Sequence, residues 1–119
     1  MKKIICLFTL IFGLLITNTL AQNNLMILKT TYGDVEIELY SDKAPNHVKR
    51  FKELADSGKY DGVVFHRVID GFMAQTGDVK FGNSSNKNFD LRRAGMGGSD
   101  LPDLPAEFND LPHDRGTVS

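Results

Sequence analysis

The 119-residue sequence lacks several features that would point directly to a function. It has a single cysteine, Cys6, so no disulfide can form within the chain and no cysteine cluster is present to bind zinc. An excess of charge of one sign is also missing, because 14 Lys and Arg face 15 Asp and Glu, which excludes a strongly basic nucleic-acid-binding protein. A hydrophobic content of 41% excludes a disordered acidic tail, and the length allows one domain at most.

A hydrophobic run long enough to span a bilayer is also lacking, since about 20 residues are needed. The apolar run that is present, residues 4–16, follows two lysines and is followed by small residues ending at Ala21. This arrangement predicts a secretory signal over residues 1–21, with an uncleaved N-terminal anchor as the alternative. The remaining domain, residues 22–119, would be free of cysteine, slightly acidic, and exported to a bacterial periplasm or the cell exterior. It would meet the membrane only during export.

The first elements of this domain follow from periodicity. An apolar run at residues 25–28 and a strictly alternating segment at residues 35–39 predict an antiparallel hairpin. The alternation places the carboxylates of Asp34, Glu36 and Glu38 on one strand face. A solvated face and a carboxylate site are both compatible with this pattern, and alternation alone requires only the first.

Residues 41–56 predict an amphipathic helix. Ser41 and Asp42 are candidate N-terminal caps, Pro45 suits the first turn, and Gly58 suits the end. Apolar residues at helical spacing form one stripe that would cover a sheet or barrel end: Val48, Phe51, Leu54 and Ala55.

Two further strands are predicted at residues 63–69 and 72–76, separated by a turn at Asp70 and Gly71. The polar, glycine-rich stretch from Lys80 to Gly98 predicts a long surface loop. Loops of this length are uncommon without a function of their own.

Within the first of these strands, alternation places Arg67 opposite His66 and between Phe65 and Ile69. A guanidinium among apolar groups is costly unless a partner satisfies it. An ion-paired or solvent-reaching arginine and a functional donor are both consistent with the residues alone. On the same basis Phe72 and Met73 are ordinary core candidates and Gln75 is a surface amide.

The segment Phe65-His66-Arg67-Val68-Ile69-Asp70-Gly71-Phe72-Met73-Ala74-Gln75-Thr76-Gly77-Asp78 closely resembles the signature of the cyclophilin-type peptidyl-prolyl cis-trans isomerases. The similarity covers nearly all of residues 25–119. It includes further segments in the family's order: Ala44-Pro45 with Phe51, Tyr60-Asp61-Gly62, Pro105-Ala106-Glu107-Phe108 and Arg115-Gly116-Thr117-Val118-Ser119.

The resemblance implies a mainly β fold, a closed antiparallel β-barrel with capping helices. It implies an enzyme that isomerises X–Pro bonds in proline-containing polypeptides, here during the folding of exported proteins. Arg67 matches the catalytic arginine, whereas Phe72, Met73 and Gln75 match substrate-binding residues. We expect no cofactor, no metal, no nucleic-acid partner and a monomeric state. The alternative is a proline-peptide-binding or chaperone module without useful turnover.

The sequence also departs from the family pattern. The family commonly has Pro where this chain has Asp70 and Gly where it has Thr76, and the loop at residues 80–105 is diverged. In the family, further strands follow the position of residues 116–119. We therefore expect residues 22–119 to form an incomplete barrel that folds poorly alone and shows little or no activity.

Other chemistries are less well supported by the residues. His66 and Asp70 could form an acid–base pair of a hydrolase, but no Ser or Cys nucleophile motif accompanies them. His47, His66 and His113 lack the close spacing of metal ligands.

Overall fold

The computed structural model describes residues 24–119. The predicted signal at residues 1–21, with its cleavage after Ala21, lies outside these residues. Within the described part, no helix has both the length and the apolar character needed to cross a membrane. The described residues fall into two compact units, one of residues 24–40 with 111–119 and one of residues 41–110.

The first unit contains the predicted hairpin. Strand β1 covers Leu25–Thr30 and strand β2 covers Gly33–Glu38, and they pair antiparallel with Leu25 opposite Glu38 and Thr30 opposite Gly33. A two-residue turn joins them, and Gly33 adopts a φ of 124° that only glycine adopts readily. The acidic side chains of β2 are exposed, which makes them a solvated strand face.

The second unit begins with the single helix of the described residues, α1, which covers Pro45–Asp56. Leu54 is buried on the apolar stripe of the helix. The centroids of the Phe51 and Tyr60 rings lie 5.4 Å apart, at an interplanar angle of 58°. The predicted stripe and the proline in the first turn are therefore confirmed.

The helix also ends where the sequence predicts. Gly58 has a φ of 68°, and its N–H donates to the Ala55 carbonyl at 2.9 Å. The next N–H, of Lys59, donates to the Leu54 carbonyl at 2.9 Å. This pair of bonds is the Schellman arrangement, which satisfies carbonyls left free at a helix end.

The predicted N-terminal caps of α1 are wrong. The N-cap residue is Ala44, which has no side-chain oxygen, because Ser41 and Asp42 lie too early in the chain. The carboxylate of Glu107 takes the role instead, accepting from the backbone N–H groups of Asn46 and His47 at 3.0 Å each. Their side chains donate to it as well, from Asn46 Nδ2 at 2.7 Å and through a 2.7 Å contact with His47 Nδ1.

The next two strands are shorter than predicted. Strand β3 covers only Arg67–Ile69 and strand β4 only Met73–Gln75. Val63 forms an isolated bridge with Asn83, and the N–H of Val64 donates to the Gly82 carbonyl at 2.9 Å. The residues before β3 therefore pair with the following loop, which limits the β3–β4 ladder to three residues.

The part of the chain that the structure describes is mainly β, with four strands and one α-helix. The strands form two separate two-stranded sheets, so residues 24–119 contain no closed barrel. Residues 101–119 contain neither helix nor strand. The buried apolar side chains of this part are Leu39 in the first unit and Leu54 in the second.

Candidate active site

The β3–β4 hairpin brings three of the four predicted site residues together. Arg67 lies directly opposite Gln75, and Ile69 lies opposite Met73. Because opposite residues of an antiparallel pair point to the same face, and so do residues two apart, Arg67, Gln75 and Met73 share one face. The N–H of His66 donates to the Gln75 carbonyl at 3.0 Å and fixes the two strands beside the arginine.

Phe72 lies outside the strands, in the turn that joins them. Its N–H donates to the Ile69 carbonyl at 3.0 Å, and the preceding Gly71 has a φ of 70°. This conformation accommodates Asp70, where the family commonly has Pro, at an ordinary turn position. The Phe72 side chain is 77% exposed. Of the predicted apolar lining, only Met73 therefore lies on the strand face with Arg67.

Arg67 is exposed, and within residues 24–119 no carboxylate oxygen lies within 4 Å of its guanidinium. The ion-paired arginine that the sequence also allowed is not found in this part of the chain. Its N–H donors are free to bind a ligand, because a guanidinium offers five donors in a fixed plane.

Thr76, the second departure from the family pattern, follows β4 directly. Its hydroxyl donates to the Val64 carbonyl at 2.9 Å. Glycine, the common family residue at this position, has no hydroxyl. The Thr76–Val64 hydrogen bond is therefore an additional link between two chain segments beside the hairpin, which a glycine could not form.

The His66 ring lies against Gly95 of the loop. A Cβ placed on Gly95 would lie 2.5 Å from His66 Cδ2, so only glycine allows this contact. His66 Nδ1 is buried and has no hydrogen-bond partner. No hydrogen bond joins it to Asp70 among the described residues, and the hydrolase hypothesis gains no support.

Asp78 is the residue of this region to which the sequence assigned no role. It is 3% exposed, and its carboxylate accepts four backbone hydrogen bonds. Oδ1 accepts from Lys80 and Phe81 at 3.0 and 2.9 Å, and Oδ2 accepts from Gly95 and Gly97 at 2.8 and 3.0 Å. A single carboxylate therefore joins the start and the end of the predicted loop.

Burial raises the pKa of Asp78, but the hydrogen bonds from Phe81, Gly97, Gly95 and Lys80 outweigh burial and leave that pKa below its ordinary value. The ionised Asp78 carboxylate therefore stabilises the folded state above the ordinary pKa of aspartate, and this stabilisation is lost as pH falls through the lowered pKa. An aspartate that starts a turn often accepts hydrogen bonds from the N–H groups two and three residues ahead, so the local sequence is consistent with the bonds from Lys80 and Phe81. No local sequence feature indicates the bonds from Gly95 and Gly97.

No group of three or more potential metal ligands occurs among the described residues. His47 contacts Glu107, and His66 packs on Gly95. The candidate site thus consists of a free guanidinium, an amide and a thioether on one strand face, beside an exposed phenyl ring.

Comparison with known proteins places this site in a family. The family described as cyclophilin type peptidyl-prolyl cis-trans isomerase/CLD matches residues 25–119. A probable peptidyl-prolyl cis-trans isomerase of Brucella suis is 61% identical over 95 residues, which are 80% of this chain and 48% of that protein. A peptidyl-prolyl cis-trans isomerase of Synechococcus elongatus is 40% identical over 93 residues, 78% of this chain and 55% of that protein.

This chain spans about half the length of these bacterial relatives. A shorter match, 47% identical over 58 residues, joins 49% of the chain to 12% of the peptidyl-prolyl isomerase CWC27 of Cryptococcus neoformans. No solved structure matches the chain significantly. The family match covers both hairpins, helix α1 and the candidate site, and the chain belongs to the cyclophilin-type peptidyl-prolyl cis-trans isomerase family.

Proposed function

We propose that the protein carrying this sequence is a peptidyl-prolyl cis-trans isomerase that acts on proline-containing polypeptides. The observation that carries the proposal is the shared face of Arg67, Gln75 and Met73, on which the guanidinium has no ion pair among the described residues. Family membership and the names of the bacterial relatives support it.

The chemistry needs no covalent step and no cofactor. An X–Pro bond isomerises slowly because amide resonance must be broken, at a barrier of ~18–20 kcal/mol. In the twisted amide the prolyl nitrogen becomes pyramidal and gains a lone pair. A fixed N–H of Arg67 donates to that nitrogen and so stabilises the twisted state more than either planar state.

The other site residues hold the peptide. The Gln75 side chain, opposite Arg67, is placed to bind the substrate backbone and to orient the guanidinium. Met73 and Phe72 offer apolar surface to the proline ring. The 77% exposure of Phe72 leaves its ring available for such a contact.

We further propose that the two hairpins belong to a closed antiparallel barrel of the kind that the family resemblance implies. Apolar side chains on both hairpins are exposed, including Ile27, Val35 and Val68. Exposed apolar strand faces are stabilised when further strands cover them. The barrel would also fix the direction of the Arg67 guanidinium.

We also propose export, with residues 1–21 as a cleaved signal and a role in the folding of exported proteins. The support is the lysine pair, the short apolar run and the small residues before the proposed cleavage site. N-terminal sequencing of the exported protein should begin at Gln22. Retention of Met1 would overturn cleavage.

The test of the isomerase is the cis–trans isomerisation rate of an Ala-Pro peptide, measured with the protein carrying this sequence. Arg67→Ala should lower kcat/KM by about 10²–10³-fold, as loss of one transition-state donor does. Arg67→Lys should not restore the rate, because an ammonium lacks the planar arrangement of donors.

Arg115→Ala is the matched control. Arg115 is exposed and forms no ion pair in the described part of the chain, so its loss should leave the rate unchanged. If Arg67→Ala and the unmodified protein have equal rates, the catalytic assignment is wrong. Peptide binding without any rate enhancement would favour the alternative of a binding or chaperone module.

A further inference from the structure

The loop between Asp78 and Gly98 lines a partly open cavity of about 160 Å³ that the isomerase site does not use. A cavity of roughly this size can hold a benzene-sized group. Its lining combines two cations, two aromatic rings, three amides and one carboxylate: Lys80, Arg93, Phe81, Phe89, Asn83, Asn86, Asn88 and Asp90.

The walls of the cavity are built by consecutive turns rather than by helix or strand. The side chains of Asn83, Asn86 and Asp90 each accept a hydrogen bond from the N–H two residues ahead, at 2.8, 3.0 and 3.0 Å. Asp78 holds the two ends of the same loop together. These hydrogen bonds therefore hold the lining residues in place, although the loop lacks regular secondary structure.

The two cations are placed around one aromatic ring. The Arg93 guanidinium carbon lies 4.1 Å from the centroid of the Phe81 ring, and Lys80 Nζ lies 5.7 Å from it. No carboxylate oxygen of the described residues lies within 4 Å of the Arg93 guanidinium. A cation held on a ring face keeps its N–H donors for another partner.

Two acidic residues lie near these cations: Asp90 is paired with Arg92, and Asp100 forms only a weak pair with Lys80. Asp90 accepts from Arg92 Nε and Nη2 at 3.1 and 2.8 Å, which balances its charge. Lys80 pairs with Asp100 at 3.6 Å, but the Asp100 side chain is 93% exposed, and such pairs contribute little. The charged groups that line the cavity are two basic residues, Lys80 and Arg93, and one acidic residue, Asp90, so the lining carries a net positive charge.

We propose that this cavity binds the acidic side chain of a polypeptide, a glutamate or an aspartate. The carboxylate would accept from Arg93 and Lys80, and the side-chain N–H groups of Asn86 and Asn88 would donate to its remaining lone pairs, whereas the Asn83 amide already donates to the Asp61 carbonyl. A cationic occupant would be repelled, and a purely apolar one would leave the amides unpaired. This binding is independent of isomerase activity, because the experiment below measures the affinity for a peptide that contains no proline.

The test uses a blocked tetrapeptide with two central glutamates and its glutamine counterpart, neither containing proline. Binding is followed by NMR on the protein carrying this sequence. The glutamate peptide should shift the Arg93 Nε–H and the Asn86 and Asn88 side-chain amides, and it should bind more tightly than the glutamine peptide. Arg93→Gln and Lys80→Gln should each weaken its binding at least about threefold.

Lys87→Gln is the matched control, because Lys87 lies in the same loop, is exposed and does not line the cavity. It should weaken binding less than about twofold. Equal affinity for the glutamate and glutamine peptides would overturn the proposal. So would an equal loss in Lys87→Gln and Arg93→Gln, since that result indicates a diffuse attraction to the loop. Arg67→Ala should leave this binding unchanged, even if the isomerase assay gives no activity.

Discussion

Gly95 is the point at which the loop closes onto the residue before the candidate catalytic arginine. It has a φ of 93°, and an added Cβ would lie 2.5 and 2.7 Å from His66 Cδ2 and Nε2. Gly95→Ala therefore combines a strained backbone with a side-chain clash. It should lower the free energy of unfolding by about 1–3 kcal/mol in urea denaturation, and it should reduce hydrogen-exchange protection of the amides bound to Asp78.

Gly98 provides the control for this substitution three residues away. A Cβ at Gly98 would meet nothing within 4 Å, and its φ lies outside the left-handed region. Gly98→Ala should change stability by no more than about 0.5 kcal/mol. Equal losses in the two variants would show that the Gly95–His66 contact does not matter to the fold.

At the scale of elements, helix α1 depends on a residue sixty positions away in the chain. Burial raises the pKa of Glu107, but the hydrogen bonds from His47 and Asn46 outweigh it and lower that pKa to about 2. The side chain is 12% exposed. The anion also lies at the helix N-terminus, where the macrodipole favours negative charge.

Glu107→Gln should therefore remove a pH dependence. A lowered folded-state pKa contributes stability that is complete above the ordinary pKa of 4.5 and is lost as pH falls from there to about 2. The unmodified protein should lose protection at the Asn46 and His47 amides over this range. The variant should already have lower protection at neutral pH and should vary less with pH.

Glu53→Gln is the matched change within the same helix. Among the described residues the Glu53 carboxylate pairs weakly with Arg50 Nε, at 3.8 Å, and is 56% exposed, so the Glu53→Gln variant should keep the pH profile of the unmodified protein. A profile that Glu107→Gln leaves unaltered would mean that another carboxylate sets the acid response.

The helix and the first hairpin could be predicted because their signals are local. The apolar stripe through Leu54, the proline at Pro45 and the alternation of β2 each follow from the period of the element itself. The N-terminal cap of α1 could not be predicted, because Ala44 has no capping side chain. The carboxylate that accepts from the free N–H groups instead belongs to Glu107, in a distant segment of the chain. Strand β3 is shorter than its sequence predicts, because strand-like residues need a neighbouring strand and Val63 and Val64 pair with the loop.

The site shows the same division. The turn at Asp70 and Gly71 between two strand-like segments predicts one hairpin that carries Arg67, Met73 and Gln75, and the observed register brings these residues to one face. The loop closure by Asp78 could not be predicted from the sequence, because its bonds to Gly95 and Gly97 join residues 17 and 19 positions apart. The cavity at residues 80–93 could not be predicted either, because its shape depends on how several irregular turns follow one another.

At the scale of the whole molecule, the balance between burial and exposure decides stability. Leu39 and Leu54 are the buried apolar side chains of the described residues, whereas Val68 is 68% exposed and Phe72 and Phe108 are more so. Burying apolar surface contributes about 25 cal/mol per Å², and ordering the backbone costs about 1–2 kcal/mol per residue. With so little apolar burial, residues 22–119 in isolation should have a low free energy of unfolding.

We therefore predict that the isolated segment 22–119 unfolds over a broad temperature range without a calorimetric peak, binds a hydrophobic dye, and shows little or no isomerase activity. The Brucella suis relative, of which the matched region is 48%, serves as the control and should melt cooperatively. A sharp, cooperative transition together with full isomerase activity of residues 22–119 would contradict the prediction. Because that result requires a packed core, it would also show that the exposed apolar faces of β2 and β3 are covered in solution, by contacts of the chain with itself or with a second copy.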